Sequence, residues 1–163
     1  MIETVDRLYA LLSGSRLTSK SATSPEIGHK VKEGLLAGVT IIAGVDAAGT
    51  GTLPGDCWPR IVIEPVREES VNVLFKQVTL LLDVGVKIPG RFSALLAVMR
   101  LAKDVRHILL QNQRLEIDGT TYAANCVITD TRYELGGSDK GNTVGRRFAV
   151  ITAQYTVPTK ERI

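Results

Sequence analysis

The sequence has few of the residues that usually carry out chemistry. Its 163 residues include two cysteines, two histidines and one tryptophan, and aromatic residues make up only 5% of the chain. Cys57 and Cys126 lie far apart in sequence and have no metal-ligand spacing with His29 or His107. No cysteine or serine lies in a nucleophile motif with a histidine base and an orienting acid. The composition therefore predicts no catalytic residue, no metal ligand and no cofactor, which is typical of a protein that is not an enzyme.

Long apolar runs and dense clusters of one charge are also missing. No stretch approaches the roughly 18 to 20 apolar residues that cross a bilayer, so we expect no membrane contact. Residues 1–14 have acids within the apolar pattern and no preceding basic segment, unlike a signal peptide. The net charge is +3, and the basic residues are scattered, whereas nucleic-acid readers usually concentrate them on one face. With 44% hydrophobic and 23% charged residues, the chain resembles an ordinary globular protein and is predicted to form one domain over 1–163.

One segment superficially resembles a nucleotide-binding loop. Residues 37–60 read AGVTIIAGVDAAGTGTLPGDCWPR, a short β-branched stretch followed by glycines. Gly49 and Gly51 have the spacing of a dinucleotide fingerprint, but the third position is Pro54. The segment continues into another predicted strand rather than a helix, and it contains no Gly-Lys-Ser/Thr. We interpret it as a structural loop, and we expect no nucleotide binding.

Periodicity predicts an α+β domain in which one long helix packs on a face of a mainly antiparallel β-sheet, with a short N-terminal helix. The predicted core spans 58–158, and 15–57 form a long loop or arm insertion. The predicted helices cover 2–13, 89–110 and, more weakly, 30–36. The predicted strands cover 39–45, 60–65, 71–84, 114–135 and 145–158, and Pro65 ends the second of them.

The long helix should bury one stripe of side chains against the sheet. Arg100 and Lys103 are expected on its exposed side. Cys126, on a later strand, is expected to share a buried face with Tyr122, Ala124 and Ile128. The stripe predicted to be buried on the helix consists of Phe92, Leu95, Met99, Ala102, Arg106 and Leu109.

The last two strands are joined by residues 136–145, a segment too long for a tight hairpin. We predict that it projects as a finger. Lys140, Arg146 and Arg147 cluster at this finger and are the candidate interface residues, facing nucleic acid or an acidic partner. The alternative is ordinary solvated loop charge.

The order of these segments resembles that of the tail-terminator and tail-completion proteins of tailed bacteriophages. The resemblance is carried by VDRLYALLSG, then WPRIVIEP, VNVLFKQVTLLLDV and FSALLAVMRLAKDVRHILL, and finally YAANCVITDTRYEL with RRFAVITAQYTVP. It covers about residues 58–158 and, more loosely, the first helix. It is a resemblance in the order of elements and rests on no single diagnostic motif.

The resemblance implies a structural virion protein that assembles into a ring, typically a hexamer, at the head-proximal end of the tail. Such a ring caps the tail tube, docks the head or neck, and contacts the sheath where the tail is contractile. DNA would pass through it without sequence-specific binding. Two alternatives stay open: a neck adaptor, head-completion or tube protein of the same virion, and a small hydrolase or ligand-binding domain using Asp56, Cys57 and the glycine loop.

Overall fold

The computed structural model describes residues 2–14, 28–43, 58–117, 120–135 and 144–159. These residues form seven strands and two helices. In chain order the elements are α1 (Ile2–Ser13), β1 (Gly28–Lys30), β2 (Thr40–Ala43), β3 (Arg60–Ser70), β4 (Phe75–Pro89), α2 (Arg91–Gln111), β5 (Leu115–Ile117), β6 (Thr120–Leu135) and β7 (Val144–Pro158).

The strands form one sheet in the order β1-β2-β3-β4-β7-β6-β5. Neighbouring strands are antiparallel except β2 and β3, which run parallel from Thr40 opposite Arg60 to Ala43 opposite Ile63. The centre of the sheet is the pairing of β4 with β7, which continues without interruption from Phe75 opposite Pro158 to Pro89 opposite Val144. This long register fixes the two ends of the sheet relative to each other.

Both helices pack on the same face of the sheet, which we call the inner face. α2 lies against β4, β7 and β6, whereas α1 contacts β2 and β3 near one edge and β5 at the other. A single helix can contact both edges of a seven-stranded sheet only if the sheet curls around it. The curl encloses a core in which alternate residues of the central strands are fully buried, among them Leu80, Leu82, Ile151 and Tyr155.

The α+β prediction is wrong, because the protein is mostly β: a curled seven-stranded sheet accompanied by two helices. The expected long helix on a sheet face and the short N-terminal helix are found as α2 and α1, so the prediction is matched only in part. The sheet was underestimated because residues 28–30 and 66–70 also adopt strand structure. Most of the predicted arm, residues 15–27 and 44–57, lies outside the described residues, although β1 and β2 fall within its bounds.

Pro65 does not end its strand, contrary to the sequence prediction. β3 continues to Ser70 and stays paired with β4, with a shift of register between Pro65 and Arg67. β2 pairs only with residues 60–63 of β3, so Pro65 lies where β3 has become an edge strand. Edge positions and bulges are where a sheet tolerates proline, which has no N–H to donate. The predicted strand over 71–84 accordingly begins later, at Phe75.

The weak helix predicted over 30–36 is also wrong. Lys30 ends β1, and the chain then turns through residues 33–38 into β2. The turn is closed by hydrogen bonds from the Val31 N–H to the Val39 carbonyl, 2.9 Å, and from the Gly38 N–H to the Val31 carbonyl, 2.8 Å. Gly34 and Gly38 have φ of +91° and +85°, a region that glycine enters at little cost and that a helix does not use.

The face of α2 that packs on the sheet differs from the predicted one. Phe92 and Met99 are exposed, contrary to the prediction, while Arg100 and Lys103 are exposed as predicted. The prediction is confirmed for Ala102 and Leu109, whereas Leu95 and Arg106 are only half-buried. The helix instead turns its smaller side chains inward, which lets its backbone lie close to the sheet. The stripe that is fully buried consists of Ala94, Val98, Ala102, Val105 and Leu109.

Cys126 is buried as predicted, but its neighbours on the inner face are different. Asn125 has φ of +54°, and the pairing of β6 with β7 shifts register between Ala124 and Val127. This bulge interrupts the alternation, so that Ala123 and Cys126 are buried while Ala124 is only half-buried. A strict two-residue alternation could not have placed these side chains correctly.

Candidate functional site

The Cys126 thiol has the surroundings of an inert core residue. It is buried beside Tyr155, and burial raises the pKa of the thiol above its usual range. Burial also raises the pKa of the Tyr155 hydroxyl. A thiol whose pKa is raised forms little thiolate near neutral pH and is a poor nucleophile. Among the residues that the structure describes, no three His, Cys, Asp or Glu side chains are grouped so that they could hold a metal ion.

An aromatic cluster covers one end of the outer face, the side of the sheet opposite the helices. The guanidinium carbon of Arg60 lies 4.0 Å from the ring centre of Trp58 and 5.7 Å from that of Phe148. The two rings are 5.7 Å apart at 60°. Gly85 lies beneath them, and its missing side chain makes room for Trp58. Stacked on two rings, the Arg60 side chain is held in a cation–π arrangement.

Asp83 lies near this cluster on the outer face of β4. Its Oδ1 atom is buried and accepts no hydrogen bond within the described part of the chain. Burial raises the pKa of the Asp83 carboxyl, Glu64 and Glu134 raise it further, and Arg60 opposes the shift. The carboxylate is therefore held in an unfavourable setting at neutral pH.

We expect Asp83→Asn to increase the free energy of unfolding at pH 7. Because the folded-state pKa of Asp83 is raised, the folded protein binds the proton more tightly, and wild-type stability falls as pH rises from the unfolded pKa, about 3.9, through the folded one. The Asp83→Asn variant has no carboxyl at this position and does not lose stability in this way. The difference in free energy of unfolding between the variant and the wild type should therefore vanish near pH 3. Urea unfolding of both proteins at the two pH values measures this difference. An Asp83→Asn variant that is less stable than wild type at pH 7 would contradict it.

A basic group lies at the end of the sheet where β4 finishes and β7 begins. Arg146, a candidate interface residue, is exposed and pairs directly with Lys87 of β4, which is also exposed. Arg147 is half-buried and pairs with Val86, a core residue, so it lies on the inner face of the sheet, opposite to Lys87 and Arg146. Lys140, the third candidate, lies outside the described residues, as do residues 136–143 of the predicted finger. The structure thus adds Lys87, which sequence reasoning missed because it is far from Arg146 along the chain.

Lys87 and Arg146 place like charges directly opposite each other on neighbouring strands, an arrangement that destabilises a sheet. We expect Lys87→Glu to increase the free energy of unfolding by about 0.5 kcal/mol, because it replaces repulsion with an ion pair. The gain should shrink in 1 M salt, where charges are strongly screened. Lys30→Glu is the matched control, since Lys30 is exposed and pairs with Thr40. Equal gains from both substitutions would show that the Lys87–Arg146 pair has no special effect.

The sheet also has an unpaired stretch along β6. β5 pairs only with the first residues of β6, from Thr120 to Ala123. Within the described residues, the stretch of β6 from Val127 to Leu135 pairs with β7 on one side and with no strand on the other. Val127 and Tyr133 in this stretch are exposed. An edge of this length presents backbone N–H and C=O groups that another chain can pair with.

No helix within the described ranges is long and apolar enough to cross a membrane. Comparison with known proteins adds no assignment: no protein-family model matches the sequence, and no curated protein matches it.

Proposed function

We propose that the protein is a tail terminator of a tailed bacteriophage, a structural subunit that forms a ring on the head-proximal end of the tail tube. The observation that carries the proposal is the long β6 edge from Val127 to Leu135, which has no partner strand among the described residues. A soluble monomer usually shortens, twists or covers such an edge. The register shift between Ile128 and Asp130 is one such device, but the stretch from Asp130 to Leu135 beyond it pairs regularly with β7 and leaves its other edge open to a neighbouring chain.

The order of elements gives further support. The segments that resemble the tail-terminator proteins correspond to α1, β3, β4, α2, β6 and β7, the elements that build the sheet centre and its helical cover. Head-to-tail contacts between identical subunits close into a ring when the rotation between subunits fits, and a hexamer is the stoichiometry that the resemblance implies. The ring would cap the tube protein and dock the neck or connector, and in a contractile tail it would contact the sheath.

The basic end of the sheet, with Lys87 and Arg146 on the outer face and Arg147 on the inner face, suits such a ring. Three basic side chains give a modest, salt-screened attraction to an acidic partner surface or to DNA in the channel. They are too few for tight or sequence-specific binding, which a channel that conducts DNA must avoid. With this function, the protein would be found in the host cytoplasm during assembly and then in the virion.

The proposal is tested on the purified full-length protein and in phage assembly. Mass photometry and negative-stain imaging should show a closed ring of uniform size, and a phage that lacks this protein should regain joined, infectious particles when the gene is supplied. Open-ended polymers would favour a tube protein instead, and a ring of another stoichiometry would favour a neck adaptor. A protein that stays monomeric and fails to restore particle assembly would overturn the proposal.

A further inference from the structure

The two large apolar side chains most exposed among the described residues lie at opposite ends of β4. Val73 is 90% exposed and Phe92 is 82% exposed. Val73 lies in the turn before β4, and Phe92 is the second residue of α2, which follows β4. The 15 residues of β4 span about 45 Å of extended strand. The two side chains are therefore too far apart to cover each other within one molecule.

Val73 belongs to a hairpin arm, residues 64–75, in which every residue is exposed. The arm carries three glutamates and one arginine. Glu69 pairs with Arg67, and Glu68 pairs with Lys76 of β4, both at 3.2 Å, so the arm together with Lys76 has a net charge of −1. Its tip holds a group of exposed apolar side chains: Val71, Val73, Leu74 and Phe75.

The tip of the hairpin arm is well defined. Oδ1 of Asn72 accepts hydrogen bonds from the backbone N–H groups of Leu74, 2.8 Å, and Phe75, 2.9 Å. The Thr159 N–H donates to the Leu74 carbonyl, 2.8 Å, and ties the tip to the end of β7. A segment that is already ordered loses little conformational entropy when it binds. The tip is built to present its apolar side chains rather than to bury them.

Phe92 begins a second surface, the α2 ridge, which consists of Phe92, Leu96, Met99, Arg100 and Lys103. These side chains recur at helical spacing on the side of α2 that faces away from the sheet, and all five are exposed. The exposed positions of α2 include no carboxylate, and the helix as a whole carries a net charge of +3. The ridge is thus an apolar strip with a basic border, next to the basic end of the sheet.

We propose that the hairpin arm of one subunit docks on the α2 ridge of a second copy of this chain. Both surfaces have exposed apolar side chains at the centre, and the small net negative charge of the arm, including Lys76, complements the basic ridge. Because the two surfaces are different and lie at opposite ends of the molecule, the contact is head-to-tail. The choice of a second copy as the occupant rests on the proposed ring-forming function.

Two aspartate variants test the contact. Val73→Asp disables the arm but leaves the ridge intact, and Phe92→Asp does the reverse. Each variant alone should lose at least about tenfold in association constant and run as a monomer at concentrations where the wild type assembles. An equimolar mixture should give a dimer and nothing larger, because only the arm of Phe92→Asp and the ridge of Val73→Asp can still meet. Wild-type assembly should also weaken as salt is raised.

Leu35→Asp is the matched control, because Leu35 is exposed but lies in neither surface; it should assemble like the wild type. Circular dichroism should show the wild-type fold in each variant. If an aspartate variant misfolds, the serine variant at the same position, Val73→Ser or Phe92→Ser, replaces it. The mass of the wild type is measured in a series of 100-fold dilutions that starts at millimolar concentration. A wild type that is monomeric at every concentration would overturn the contact. Variants that assemble to the same mass as the wild type would also overturn it. A closed ring unaffected by both variants refutes the contact alone, whereas arm-dependent assembly without phage complementation refutes the tail function alone.

Discussion

Val98→Asp is expected to reduce the free energy of unfolding by about 4 kcal/mol or more. Val98 lies in the middle of α2 and is fully buried between the helix and the sheet. The substitution would place a carboxylate among apolar side chains, where it must either remain charged without solvent or take up a proton at a cost. Urea unfolding followed by circular dichroism measures the loss. The variant should have its unfolding midpoint at a low urea concentration.

The neighbouring residue supplies the control. Met99 is 45% exposed, so Met99→Asp should cost about 1 kcal/mol or less, mainly through the lower helix propensity of aspartate. The two substitutions are adjacent in sequence and differ in the face of α2 that they occupy. Equal losses from both would mean that the buried stripe is not the one through Ala94, Val98 and Ala102.

Gly85→Val is expected to cost about 3 kcal/mol, the second largest effect. A Cβ atom at this position would lie 2.7 Å from Cζ3 of Trp58 and 2.9 Å from Cε1 of Phe148, closer than carbon atoms approach. Valine adds two further methyl groups to this crowded site. The rings must move, and the stacking of Trp58 on Arg60 should be lost with them. Trp58 is the only tryptophan, so its fluorescence and its quenching by iodide report the movement directly.

A double-mutant cycle separates crowding from other effects of the valine. Trp58→Ala removes the ring closest to Gly85 and should by itself destabilise the protein. Added to Gly85→Val, it should cost much less than it does in the wild type, because it makes room for the new side chain. Strictly additive losses would show that the clash with Trp58 is not what destabilises the valine variant.

The parts of the fold that the sequence predicts well are those with one clear period. The alternation in RRFAVITAQYTVP and the long apolar helix pattern give β7 and α2 nearly to the residue. The fold class was predicted wrongly because the local preferences of proline and glycine conflict with the strand pairing of the sheet. Pro65 stands inside β3 because edge pairing tolerates it, and Gly34 and Gly38 form a turn where residues 30–36 had suggested a helix. Pairing partners far along the chain decide these positions, and a single sequence does not reveal them.

The candidate surfaces were predictable only in part. Arg146 and Arg147 stand out in sequence because they are adjacent, but the strand places them on opposite faces, and the pairing of β4 with β7 brings Lys87 beside Arg146 alone. The α2 ridge was missed for a different reason. Large apolar residues such as Phe92 and Met99 were assigned to the core, and nothing in their spacing indicates that the smaller Ala94 and Val98 pack inward instead.

The central pairing of β4 with β7 also constrains how the chain folds. Phe75 and Pro158 are neighbours in the sheet but 83 positions apart in sequence, and even the nearest pair, Pro89 and Val144, is separated by 55. Closing so long a loop loses chain entropy before any contact compensates for it, and non-local pairings of this kind are associated with slow folding. β7 leaves the ribosome after all the other described strands. Until it arrives, β4 has a partner on one edge only, through β3, so nascent chains carry an open sheet that invites pairing with other chains.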